Sequence, residues 1–241
     1  MKLDESDLLS GDNIPIAGVC TLKPPKIRLL KPSADIGYKK YASYLGMIST
    51  TQLDLLNMYD IKKAYDEAAE EQRKLFSVFN LITVNDEVRK NCTEALQYFI
   101  AEPLTFDAAK GCFKAGETGE INESNFDEVR ECILQTACIS KPEEVKQPKF
   151  HNEAARRVWE AIQANKAKKK SEAQESDTLY NIVSSVCACS PSYNFTNIWE
   201  LTVYQLYNQF GKLNKSKTLE PILTRWAVWS QEDFDFSTWY K

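Results

Sequence analysis

Histidine, glycine and proline are scarce in this chain, and each shortage argues against a class of function or fold. The single histidine among 241 residues, His151, gives a hydrolytic triad or a histidine proton shuttle little support. Eight glycines and nine prolines disfavour a turn-rich sandwich or a glycine-loop nucleotide site, and they favour long helices. The near balance of 30 basic and 34 acidic residues argues against a surface devoted to polyphosphate.

The sequence motifs of common enzyme classes are missing as well. No GxGxxG, GxxxxGK[ST], HExxH or GxSxG pattern occurs anywhere in the chain. Cys187 and Cys189 offer two thiols, but no second Cys or His pair follows at metal-ligand spacing, so packing at a helix end is the preferred interpretation. We therefore predict that the protein is not an enzyme and uses no cofactor and no metal ion.

The N-terminus and the cysteines bear on the compartment. The first 13 residues lack the apolar stretch of a secretory signal, and no window approaches the roughly 18 apolar residues of a membrane span. The seven cysteines are odd in number, and several lie in apolar periodic runs where a thiol behaves as a small hydrophobe. We therefore expect a protein of the reducing cytoplasm without a membrane partner.

The distribution of apolar and charged residues predicts three regions. Residues 1–140 form a mostly helical domain with short strands. Residues 141–175 carry nine basic and six glutamate residues, which is typical of a charged linker with one exposed helix. Residues 176–241 form an aromatic-rich helical module, because 13 of the 27 aromatic residues lie between Tyr180 and Lys241. The predicted fold class is mainly α with a small β element, that is, α+β.

Periodicity predicts particular elements of the first domain. The branched residues from Ile14 to Leu22 indicate a short strand, and residues 104–121 indicate a small hairpin. Apolar positions from Asp60 to Phe79 recur at helical intervals and predict one amphipathic helix. Ser124-x-x-Asp127 resembles a capping box that opens a helix, with Phe126, Val129, Ile133 and Ala137 on its inner face.

In the C-terminal module we expect a second core followed by two helices. Leu179, Ile182, Val183 and Val186 begin that core. Asn197-x-x-Glu200 is predicted to cap a helix that stops at Gly211. A final helix runs from Leu219 to Trp229, with Pro221 in its first turn.

Aromatic residues crowd the last sixteen positions, and two interpretations remain open for them. They cap the small C-terminal core, or they dock into a groove on a partner protein, where aromatic anchors supply most of the binding energy. The candidate partner-binding residues are Trp226, Trp229, Phe234, Phe236, Trp239 and Tyr240.

The linker contains a basic cluster that could neutralise several phosphates. A solvated helix with interspersed glutamates is the preferred interpretation, since no aromatic platform for bases interrupts the lysines. A nucleic-acid-binding accessory protein stays open as the alternative function. Its candidate residues are Arg156, Arg157, Lys166, Lys168, Lys169 and Lys170.

Three stretches of the chain resemble tail-module proteins of phages that infect Gram-positive bacteria. They are IPIAGVCTLKPPKIRLL at residues 14–30, ALQYFIAEPLTFD at 95–107 and NIWELTVYQL at 197–206. The resemblance implies a non-enzymatic protein of virion morphogenesis, either a tail assembly chaperone or a tail-associated structural component. It also implies tape-measure or tail-tube subunits as partners, and the host cytoplasm or the virion as location. Reversible, mostly apolar docking is the expected mechanism.

Overall fold

The computed structural model describes residues 2–31, 33–139 and 179–229 of the chain. The backbone divides into two compact units. The first unit comprises Met1–Lys141 and the short segment Glu200–Gln205; the second comprises Pro142–Trp199 and Leu206–Lys241. Helices dominate, and the strands form two small antiparallel sheets, so the predicted fold class of mainly α with a small β element is confirmed.

The first unit combines short helices with the two sheets. Its helices are α1 (Glu5–Ser10), α2 (Gly37–Ser49), α3 (Gln52–Met58), α4 (Lys62–Glu67), α5 (Glu70–Arg73), α6 (Val78–Val84), α7 (Asp86–Phe99) and α8 (Phe126–Thr136). Its strands are β1 (Ile14–Ile16), β2 (Cys20–Leu22), β3 (Leu104–Asp107), β4 (Cys112–Ala115) and β5 (Gly119–Ile121). Strand β1 pairs with β2, and the second sheet has the order β3-β4-β5. Single 3-10 turns occupy Ile27–Leu30 and Lys74–Phe76.

Aromatic rings fill the core of this unit in edge-to-face contacts. The Phe79 ring lies 5.2 Å from the Phe126 ring and 6.0 Å from the Phe113 ring, centroid to centroid. On the facing sides of α2 and α7, the Tyr41 and Tyr98 ring centroids are 6.0 Å apart. Such aromatic contacts stabilise the folded state beyond the stabilisation that burial of the rings provides.

The prediction of one helix from Asp60 to Phe79 is wrong, because the segment breaks into α4, α5, a 3-10 turn and α6. Arg73 explains the first break. Its Nε donates to the carbonyl oxygens of Tyr65 and Ala68, and its Nη2 donates to that of Asp66 at 2.7 Å. These bonds satisfy carbonyls that the end of α4 would leave without partners. At the last break, the Ser77 hydroxyl accepts from the Asn80 N–H and caps α6.

The strand predictions need correction in number. Ile14–Leu22 is a hairpin rather than one strand, and its turn contains Gly18 at a φ of 72°. Residues 104–121 hold three strands instead of two. Gly119 begins β5, where an added Cβ would collide with the Val19 carbonyl oxygen. Only glycine therefore fits without a shift of backbone at this position.

Helix α8 has the predicted inner face but not the predicted cap. Phe126, Val129, Ile133 and Ala137 are all buried. The Ser124 hydroxyl donates instead to the Asn122 side chain at 2.6 Å, and Asn125, at the N-cap position, makes no side-chain capping bond. The Ser124-x-x-Asp127 capping box is therefore wrong.

The segment Glu200–Gln205 belongs to the first unit because it pairs with the chain after β2. The Ile27 N–H donates to the Leu201 carbonyl and the Val203 N–H donates to the Pro25 carbonyl, each at 2.9 Å. Glu200 also contacts Arg28 at 3.2 Å. These bonds join residues more than 170 positions apart in sequence, so no local pattern could indicate them.

The described residues of the second unit begin with α9 (Leu179–Cys189), whose buried residues are Leu179, Ile182, Val183 and Val186. These are the residues predicted to begin a second core. Helix α10 (Val203–Trp229) follows and runs through both Gly211 and Pro221. The predicted stop at Gly211 is therefore wrong, since glycine in an exposed helical position costs only about 1 kcal/mol.

The start of α10 also differs from the prediction. A 3-10 turn at Ile198–Glu200 takes the place of the helix start predicted at Asn197. The true box is Thr202-x-x-Gln205: the Gln205 N–H donates to the Thr202 hydroxyl at 3.2 Å, and the Thr202 N–H donates to the Gln205 side-chain oxygen at 2.8 Å. Reciprocal bonds of this kind satisfy two donors that a helix start leaves open.

Candidate protein-binding surface

Helix α10 changes its apolar face along its length. At about 100° per residue, Val203, Leu206 and Phe210 share one side of the helix. Val203 and Leu206 are buried, and Phe210 is half-buried. This first part of the helix has the burial expected of an amphipathic core helix.

The later part of α10 carries its apolar residues on the opposite side, about half a turn around the helix axis. Each position has a neighbour on the stripe three or four residues away. We call this surface the α10 stripe; it consists of Leu219, Ile222, Leu223, Trp226 and Trp229. Because both faces belong to one continuous helix, α10 presents apolar groups on two sides in succession.

The residues of the α10 stripe differ in exposure, and the last of them is the most exposed. Leu219, Leu223 and Trp226 are half-buried. Ile222 is 49% exposed, and Trp229 is 81% exposed. A tryptophan that exposed leaves most of a large apolar ring in water, which is the arrangement found at sites that bind other polypeptides.

Local bonds support the helix around Pro221, which cannot donate a backbone hydrogen bond to the preceding turn. The Thr218 hydroxyl donates to the Asn214 carbonyl at 2.8 Å, and the Thr224 hydroxyl donates to the Glu220 carbonyl at 2.9 Å. Lys217 and Glu220 form an ion pair at 3.4 Å on the side away from the stripe. The five residues of the α10 stripe carry no charge themselves, and Arg225 lies beside the stripe, three residues after Ile222 and four before Trp229.

Two of the predicted partner-binding residues lie on this stripe, namely Trp226 and Trp229. Phe234, Phe236, Trp239 and Tyr240 lie outside the described residues. The same is true of His151 and of the predicted nucleic-acid residues Arg156, Arg157, Lys166, Lys168, Lys169 and Lys170. Leu219, Ile222 and Leu223 were missed as site residues, although their spacing from Trp226 at three, four and seven residues was readable in the sequence.

Two further groups of side chains bear on the chemistry of the described residues, namely possible metal ligands and the thiols of α9. Within residues 2–31, 33–139 and 179–229, no three His, Cys, Asp or Glu side chains come together to hold a metal ion. Cys187 and Cys189 lie at the end of α9, and burial raises the pKa of the Cys187 thiol. A raised pKa lowers the thiolate fraction and so disfavours a nucleophilic role.

Buried thiols in the first unit are shifted in the same direction. Burial raises the pKa of both Cys20 and Cys92 to about 12. These side chains are therefore packing groups at neutral pH.

None of the helices in the described ranges is long and apolar enough to cross a bilayer.

The architecture is thus a mainly helical protein of two units, with an apolar helical stripe available for contact. Residues 167–241 match the family model described as YomV second domain, which represents a phage-derived family. The match includes all of the α10 stripe, covers just under a third of the chain, and is consistent with a phage protein. No curated protein and no solved structure matches the chain.

Proposed function

We propose that the protein is a non-enzymatic phage tail protein that acts through protein–protein contacts, as an assembly chaperone or a tail-associated component. The observation that carries this proposal is the exposure of Ile222 and Trp229 within a helical stripe of five apolar residues. Buried aromatic anchors supply most of the free energy in protein interfaces, and an anchor must be exposed before its partner arrives.

The match of residues 167–241 to a phage-derived family supports the phage origin that this proposal assumes. The stripe lies within the matched region. An assembly chaperone has to cover the apolar surface of a subunit before that subunit polymerises. The chaperone must then release the subunit. An apolar helical face suits such reversible contact, because the hydrophobic effect is non-directional and does not require matched charges.

Co-purification with tail subunits tests the proposal. The tagged full chain is co-expressed with the tape-measure or tail-tube protein of the same phage, and retention on an affinity resin is measured. We expect the wild-type chain to retain its partner, and Trp229→Ala combined with Ile222→Ser to weaken the complex at least tenfold, as loss of a hot-spot anchor does.

Val228→Ser is the matched control. Val228 is 64% exposed and lies one residue from Trp229, on a different side of α10. Its substitution should leave retention unchanged. No retention of either subunit by a folded wild-type chain would overturn the proposal, whereas binding to DNA or RNA that weakens steeply with salt would favour the nucleic-acid alternative.

A further inference from the structure

The first unit contains an open groove beside α2 and α7, with a volume of about 600 Å³. Lys40 and Tyr44 lie one turn apart on α2, and Glu94 and Tyr98 lie one turn apart on α7. Lys23, which follows β2, also lines the groove. We call this surface the lysine groove. Its walls belong to two helices that pack closely on each other, so the backbone on both sides of the groove is held in place.

The charges in the lysine groove favour an anionic ligand. It contains two lysines and one glutamate, and none of the three forms an ion pair with any residue that the structure describes. The Lys40 ammonium lies 5.7 Å from the centroid of the Tyr44 ring. A carboxylate that entered here would meet two cations, and an aromatic side chain could stack on the ring beside them.

Tyr98 gives a second, independent indication of a ligand. This residue is 8% exposed, and its hydroxyl is buried without a hydrogen-bond partner among the described residues. Burial, followed by the nearby Tyr44, raises the pKa of Tyr98 to about 12, so the hydroxyl stays protonated and able to donate. A buried hydroxyl without a partner costs about 1–3 kcal/mol, and a ligand acceptor would remove that cost.

The neighbouring polar side chains in the groove already have hydrogen-bond partners within the protein. The Gln97 amide donates to the Glu102 carbonyl at 2.9 Å and accepts from the Leu104 N–H at 2.7 Å. The Thr93 hydroxyl donates to the Arg89 carbonyl at 2.8 Å. These groups hold the wall of the groove in place, and the two lysines and Tyr98 remain for recognition.

We propose that the lysine groove binds an acidic peptide segment with an aromatic side chain, contributed by a partner protein. The carboxylates pair with Lys23 and Lys40, the aromatic ring packs on Tyr44, and a peptide carbonyl accepts from Tyr98 after a side-chain rearrangement of Tyr44, whose ring centroid is 5.6 Å from that of Tyr98. An open groove cannot enclose most of a small metabolite, whereas a peptide can extend beyond both ends. This site is separate from the α10 stripe.

Fluorescence anisotropy with a labelled acetyl-Asp-Glu-Phe-Asp-Glu-amide peptide tests the proposal on the full chain. We expect saturable binding that Lys23→Glu combined with Lys40→Glu weakens at least tenfold. Lys39→Glu is the matched control, because Lys39 is an exposed lysine next to Lys40 that does not line the groove. A peptide with lysines in place of the acids should not bind.

Tyr98→Phe separates recognition from general electrostatics. We expect this variant to melt at the same or a higher temperature than wild type, because it loses a hydroxyl without a partner, yet to bind the peptide several-fold more weakly. Unchanged affinity would remove Tyr98 from the proposal. Absence of saturable binding, an equal loss in Lys39→Glu, or tighter binding of a mononucleotide than of the peptide would overturn the proposal as a whole.

Discussion

Phe126 in the first unit is 1% exposed, whereas Trp229 at the end of α10 is 81% exposed. The Phe126 ring meets Phe79 and Phe113 in a closed aromatic cluster. Trp229 lies on an apolar stripe that continues to the last described residue. The same chemical class of side chain therefore serves cohesion in one unit and is available for recognition in the other.

The largest expected effect on stability comes from truncation of one of these two aromatic side chains, and the other should have almost none. We expect Phe126→Ala to lower the free energy of unfolding by about 3–5 kcal/mol, because it leaves a cavity in a close-packed core. Trp229→Ala should change it by less than about 0.5 kcal/mol, as exposed substitutions do. Urea denaturation followed by circular dichroism measures both values. Equal losses would show that Trp229 also serves the folded core.

Two glycines test how the cost of an added methyl group depends on the space around it. Gly119→Ala should destabilise the first unit by about 2 kcal/mol, since the new Cβ would meet the Val19 carbonyl oxygen. Gly46→Ala is its control: nothing lies within 4 Å of the added Cβ, and the position is helical. That variant should gain about 0.5–1 kcal/mol. A thermal melt of each protein is sufficient, and a neutral Gly119→Ala would contradict the close approach of Gly119 to the Val19 carbonyl.

A smaller effect concerns Glu102, which precedes β3 and accepts a hydrogen bond from Thr21 in β2. Burial opposes its ionisation, but hydrogen bonds with Thr21, including one from the Thr21 N–H at 2.9 Å, outweigh burial and hold the pKa of Glu102 below its ordinary value of 4.5. Its stabilisation is therefore complete above the unfolded-state pKa and is lost as the pH falls through the folded-state pKa.

We expect Glu102→Gln to reduce the loss of melting temperature between pH 5 and pH 3, and to lower the melting temperature slightly at pH 7. Glu117→Gln, an exposed carboxylate in the neighbouring turn, serves as the control. Identical pH profiles for wild type and Glu102→Gln would contradict the assignment.

Local sequence signals predicted the faces of helices better than their ends. The inner faces of α8 and α9 followed from apolar residues at helical spacing, because burial imposes that period. The same spacing did not predict where α4 ends or where α6 and α10 begin. Arg73, Ser77 and Thr202 form the deciding bonds with backbone groups, and equally plausible capping residues such as Ser124 make other bonds instead.

The candidate sites show the same division. Trp226 and Trp229 were chosen as candidate residues because aromatic residues concentrate near the end of the chain. The lysine groove was not found, because Lys23, Lys40 and Tyr98 are distant in sequence and only the packing of α2 on α7 unites them. The spacing of Lys40 and Tyr44, and of Glu94 and Tyr98, was visible, but it does not reveal which helices are neighbours.

The pairing of Glu200–Gln205 with the chain after β2 constrains how this protein could be recombined with others. A genetic exchange that replaced everything after residue 166 would also replace six residues that complete the first unit. The incoming sequence would have to offer a backbone donor and acceptor in register with Pro25 and Ile27, and a side chain that reaches the Leu9 carbonyl as Gln205 does. Replacement of residues 167–241 is therefore coupled to the sequence of the first unit.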